Sequence, residues 1–226
     1  MKQGFIDLLE SNLEHSENFN HKFNDLQNGQ EPDFVTVCCS DSRVLQDHMW
    51  GNNHPGHVFT CSNIGNRVIQ QTSQGEAVSG DLLYPVEHTG TETVVVVGHT
   101  GCGAVTATYK EITEGLEEPE GIAHCIELLK ERIGSGVDKL PEGLEDSRAI
   151  NRLVEYNVDR QIDFLLDSGD IPESIDVVGV VYDFQDVYSE TRGKVQVVNI
   201  NGNNSVEKLS EKYSQIEGRI KRLWEP

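Results

Sequence analysis

Thr93-Val94-Val95-Val96-Val97, running into Gly98-His99, decides the architecture of this 226-residue chain. A run of β-branched residues with no polar alternation predicts a strand buried on both faces, as in a parallel sheet covered on either side. Asp33–Cys38 (DFVTVC) predicts a second strand and leads straight into Cys39. His57–Cys61, Ile175–Tyr182 and Lys194–Ile200 predict three more, the last antiparallel through the turn-rich segment 189–193. Helical spacing of apolar residues marks 4–27, 74–89, 102–114, 121–133, 147–167 and 205–224. Residues 114–121 read as an acidic loop. Strands alternating with helices imply an α/β architecture with a mostly parallel sheet flanked by helices. Ligands of such sheets sit at the carboxyl ends of the strands.

Two chemical motifs fall at those ends. Cys39-Ser40-Asp41-Ser42-Arg43 follows the DFVTVC strand, and His99-Thr100-Gly101-Cys102-Gly103 closes the TVVVV strand. Two thiolates and an imidazole suit zinc, which binds Cys sulfur and His nitrogen tetrahedrally and, when catalytic, keeps one position open. Cys39, His99 and Cys102 are therefore the candidate metal ligands. If the chain stays extended past Cys38, alternation turns Cys39, Asp41 and Arg43 to one side and Cys38 to the other. Asp41 could then close the site as a fourth ligand. Held instead by Arg43 in a bidentate pair, it would leave the position to water, whose pKa zinc lowers to roughly 7. The Asp41–Arg43 dyad thus reads as a switch between closed and open states, with Asp41 orienting a hydroxide in the open one. Gly103 opens a helix, and its N–H could hold an anionic oxygen.

The whole chain limits the partners. A net charge of −20, from 38 acidic and 18 basic residues, argues against nucleic acid and against anionic lipid. The surplus reads as a halophilic surface, since molar salt shortens the screening length to about 3 Å and removes most of the self-repulsion. Five cysteines without framework spacing point to a reducing compartment and to metal or catalytic use. No apolar leader opens the chain and no stretch approaches a membrane span, so a cytoplasmic protein is expected.

The two motifs, with FVTVCCSDSRV, NIGN at 63–66, GDLLYPVEH at 80–88, VVVVGHTGCGAV and GVVYDFQDVYSETRGKVQVV, resemble the β-class carbonic anhydrases. The resemblance implies a four-stranded parallel sheet with an antiparallel fifth edge strand, in a single domain over 1–226. It implies zinc on Cys39, His99 and Cys102, with Asp41 and Arg43 catalytic. It implies reversible hydration of carbon dioxide to bicarbonate and a proton through a zinc-bound hydroxide. It also implies a homodimer or dimer of dimers in which a helical arm within residues 1–30 packs on a partner subunit. Two positions depart from the family pattern. Ser62 stands where an arginine helps some members bind a regulatory bicarbonate. His54, before Pro55-Gly56, replaces a glutamine of plant-like members and is a candidate substrate donor or proton shuttle. Hydrolysis of carbon disulfide or carbonyl sulfide, and a zinc module without catalysis, remain open alternatives to this activity.

Overall fold

In the computed structural model, which describes residues 2–224, the chain opens with helix α1 (Gln3–Phe19) and a 3-10 turn (Asn20–Leu26). Strand β1 (Phe34–Cys39), a short helix α2 (Gln46–Met49) and strand β2 (Val58–Asn63) follow. Next come β3 (Ile69–Thr72), β4 (Gly75–Val78), helix α3 (Gly80–His88) and β5 (Thr93–His99). Helices α4 (Gly103–Glu114), α5 (Glu120–Val137) and α6 (Asp146–Ser168) precede β6 (Asp176–Asp183) and β7 (Lys194–Ile200). Helix α7 (Val206–Lys212) and a 3-10 turn (Ser214–Arg219) end the regular structure.

The main sheet runs β2-β1-β5-β6-β7, parallel through its first four strands and antiparallel at the β7 edge, as expected. Alternation sends Val35, Val37, Val94, Val96, Val177, Val181 and Val198 to one face, where Leu82, Leu129, Leu153, Val154 and Ile162 from the helices cover them. Cys38, Val95, Val97 and Val180 point to the other face. Helix α6 comes very close to the sheet because Gly98 and Gly179 lack side chains there. A Cβ on Gly98 would lie 2.9 Å from Val154 and Val158, and one on Gly179 would lie 2.6 Å from Ile162.

Three expectations are corrected. Residues 74–89 are not one helix: β4 pairs with β3 as a hairpin, and α3 starts only after Ser79. Pro85 sits inside α3 and cannot bond the Asp81 carbonyl, which accepts the Cys61 thiol at 3.4 Å instead. Residues 205–224 hold a seven-residue helix rather than a long one, because Tyr213 leaves helical geometry and Ile220 bridges Val197 beside the sheet. The chain also does not stay extended past Cys38 as far as Arg43. The strand ends at Cys39 and a turn follows, closed by the Val44 N–H on the Asp41 carbonyl at 2.9 Å.

Candidate metal centre

Cys39 closes β1, His99 closes β5, and Cys102 caps the start of α4, so parallel pairing of β1 with β5 brings the two motifs together. The three ligand atoms lie within 4.8 Å of one another, and the two sulfurs are 4.0 Å apart. A tetrahedral zinc with 2.3 Å sulfur bonds needs sulfurs about 3.8 Å apart, so the spacing fits. All three residues are buried. His99 Nδ1 lies 3.0 Å from the Thr100 carbonyl and donates to it, which leaves the Nε2 lone pair facing the cluster. That Nε2 is buried and has no hydrogen-bond partner among the described residues. An orphaned imidazole nitrogen beside two sulfurs is a strong sign that the donors await a soft cation.

The two sulfurs are in contact and are driven in opposite directions. Cys39 is held well below the ordinary thiol range, chiefly by the Cys102 thiol, with His99 and the Gly65 N–H also favouring its thiolate. Cys102 is pushed up by that same contact and by burial, although the Ala104 and Val105 N–H groups at the start of α4 favour its anion. Cys38 on the opposite face is pushed far up by burial, and Cys61 is pushed up to about 11 by burial. Neither belongs to the cluster.

Asp41 and Arg43 do meet, by a turn rather than by strand alternation. Arg43 Nε and Nη2 donate to Oδ1 and Oδ2 of Asp41 at 2.8 and 2.6 Å, and the Arg43 backbone N–H donates to Oδ1 at 2.9 Å. Those bonds hold the Asp41 carboxyl far below the usual carboxylate range. Its Oδ2 lies 3.9 Å from His99 Nε2, at the edge of the cluster. Phe184, which the motif reading missed because it offers no ligand atom, stacks on His99 at 5.5 Å and lies under the Arg43 guanidinium at 4.5 Å. It gives the site an apolar wall.

Gly103 is exposed at the first position of α4, next to Cys102. His54 is not brought to the site. It lies near Phe34, Val58 and Thr93, at the amino ends of the strands, stacked on His57 at 5.2 Å. Six residues of β1 at about 3.3 Å each separate that end from Cys39. Ser62 accepts from Gln46 at 2.6 Å, and Gln46 accepts from Thr36 at 2.6 Å, so Ser62 belongs to a neutral network.

The chain belongs to the carbonic anhydrase family, whose model matches residues 34–195. It is 33% identical over 115 residues to the chloroplastic β carbonic anhydrase 5 of Arabidopsis thaliana, a match covering 51% of this chain and 37% of that protein. It is 27% identical over 198 residues to a carbonic anhydrase of Emericella nidulans, covering 76% of this chain and 82% of the relative. The chain thus spans little more than a third of the Arabidopsis protein's length. Its fold is similar to that of the tetrameric β-carbonic anhydrases of Sordaria macrospora, with a TM-score of 0.73, 23% identity, and coverage of 88% of this chain and 98% of that one. These likenesses support the β class. No helix among the described residues is long and apolar enough to cross a membrane.

Proposed function

We propose that the protein catalyses reversible hydration of carbon dioxide to bicarbonate and a proton, with zinc held by Cys39, His99 and Cys102. The observation that carries this reading is the orphaned His99 Nε2 facing two sulfurs, with an ionised carboxylate beside it. Zinc held there would supply Lewis acidity, which would bring a water molecule's pKa to about 7. Arg43 occupies both Asp41 oxygens, so the carboxylate is kept ionised and turned toward the cluster as a hydrogen-bond acceptor rather than a spare ligand. Asp41 accepts one hydrogen of the attacking water and aims its lone pair at the substrate carbon. Phe184 walls the site with an apolar ring that suits neutral carbon dioxide and excludes water. Gly103, at the amino end of α4, offers its N–H to an anionic oxygen of bicarbonate.

Stopped-flow hydration by the zinc-loaded protein tests the reading. Cys102→Ser is expected to cut the rate by roughly a thousandfold, matching several kcal/mol of Lewis-acid stabilisation. Asp41→Ala should cost about a hundredfold, the lower range for loss of a positioned proton acceptor. Undiminished activity in either variant refutes the mechanism.

The functional unit on this reading is a homodimer or a dimer of dimers in the cytoplasm, and the similar Sordaria macrospora proteins are tetrameric. Helix α1 has no buried residue and exposes Phe5, Leu8, Leu9 and Leu13 along with Asp7, Glu10, Glu14 and Glu17. The open sheet face is a groove that contrasts with the acidic surface: no acid lines it among the described residues, whereas Arg192, Lys194 and Arg219 do. An acidic, apolar arm complements a basic, apolar groove, which supports packing of α1 on a second copy. The −20 net charge further supports a halophilic surface. Its melting point should then rise by several degrees or more from low to molar salt, and a salt-indifferent melt sinks that idea.

A further inference from the structure

Helix α6 carries three buried amides that the proposed reaction does not use. Asn151, Asn157 and Gln161 are 6%, 1% and 0% exposed, and they share the inner face with Val154 and Val158. Burying an amide is costly unless its groups are paired, so their partners reveal what they do. Asn151 Oδ1 accepts the Gly101 N–H at 2.8 Å, inside the turn between His99 and Cys102. That turn is constrained, since Gly101 has φ +62° and a Cβ there would strike the Gln185 side chain. Asn157 Nδ2 donates to the Gly65 carbonyl and to Asn66 Oδ1, both at 3.3 Å. Gln161 Nε2 donates to Asn157 Oδ1 at 3.0 Å, and Gln161 Oε1 accepts the Val68 N–H at 2.9 Å.

Backbone groups at both ends fix the orientation of this ladder, because an N–H only donates and a carbonyl only accepts. The ladder and the separate Asn151 bond matter because of what they support. Gly65, whose carbonyl Asn157 holds, turns its own N–H onto the Cys39 sulfur. Gly101, held by Asn151, lies between the other two donors. One rigid helix therefore grips both backbone turns that set the cluster's spacing, across more than ninety residues of sequence in the case of Gly65 and Asn157.

We propose that Asn151 and Asn157 are positioning residues for the metal centre, and that α6 acts as a template fixing the His99–Cys102 turn and the Gly65 turn relative to one another. This rests on the reading of Cys39, His99 and Cys102 as metal ligands, but not on the reaction catalysed. The roles differ in polarity. Asn151 serves only as an acceptor, so aspartate can replace it, whereas Asn157 must donate and aspartate cannot.

Metal-free protein titrated with zinc against a competing chelator, and with cobalt(II) by its thiolate charge-transfer and d–d absorption, tests this directly. Asn151→Leu and Asn157→Leu should each lower zinc affinity by 10- to 100-fold, the usual cost of losing a group that orients ligands from behind. Asn151→Asp should recover wild-type affinity and spectrum, and Asn157→Asp should not. Thermal melts of the metal-free variants separate stability from positioning. A lowered melting point with unchanged affinity in the folded protein overturns the proposal, as does a wild-type cobalt spectrum in both leucine variants. If a leucine variant fails to fold, the opposed behaviour of the two aspartate variants still decides. Wild-type protein that binds no zinc through its thiolates sinks the metal-site reading itself. Zinc bound without carbon dioxide hydration sinks the proposed reaction and leaves the template standing.

Discussion

The two faces of the five-stranded sheet are made by the same strands and meet opposite fates. One is sealed by α3 to α6, with Val35, Val94, Leu129 and Leu153 fully buried. The other is equally rich in valine, yet part of it opens as a groove of about 910 Å³ bordered by Trp50, Val178, Val195 and Ile216. A parallel sheet needs cover on both sides. Among the described residues the chain seals one side and covers the other only in part. The Cys39–His99–Cys102 cluster sits at the carboxyl ends of β1 and β5, where Cys39 is on the helix-covered side, His99 stacks on Phe184 on the other, and α6 braces the neighbouring turns.

Substitution on each face sharpens the contrast. On the sealed side, Leu153→Ala should destabilise the fold by about 2–5 kcal/mol, the cost of a cavity in a close-packed core. Chemical denaturation measures this, and a loss below about 1 kcal/mol would mean that the layer is loosely packed. On the open side, where α1 is proposed to pack on a second copy, the double change Leu9→Asp with Leu13→Asp touches exposed positions and should cost the isolated chain no more than about 0.5 kcal/mol. It should nevertheless move the sedimenting species from dimer toward monomer. Retention of the dimer by this variant removes α1 as the cover of the open face.

The far end of the chain provides a third element for comparison. Where α1 buries none of its residues, the C-terminal segment is clamped down. Glu155 on α6, completely buried, accepts the backbone N–H groups of Leu223 and Trp224 at 2.7 Å, and Arg222 pairs with Asp159 at 2.7 Å. Trp224 packs on Tyr156 at 4.8 Å. Both ends contain apolar residues, but among the described residues the C-terminal segment packs on α6 whereas α1 buries none.

Much of this was legible in the sequence because it is local. Unbroken β-branched runs mark the parallel strands, and the antiparallel β7 follows from the turn residues before it. Alternation separates Cys38 from Cys39, and the structure has them on opposite faces. The residue types of a soft-metal site are visible in the two motifs. The hairpin at 69–78 was hidden because Gly75, at φ +114°, makes a tight turn within a segment whose apolar spacing also suits a helix. The Asp41–Arg43 contact was foreseen for the wrong backbone reason, since a turn rather than an extended strand brings the side chains together. His54 looked eligible by its neighbours in sequence, but β2 starts at the end of the sheet remote from the site.

The sequence by itself determined the strands, the donor types and their placement at strand ends, because these depend on side-chain shape, periodicity and ligand chemistry within a few residues. Only the tertiary structure decided which face stays open, that Phe184 walls the site, and that amides on α6 hold turns 50 and 92 residues away. Those depend on how closely α6 can approach the sheet at Gly98 and Gly179. Packing of that kind joins distant segments, and no local pattern records it.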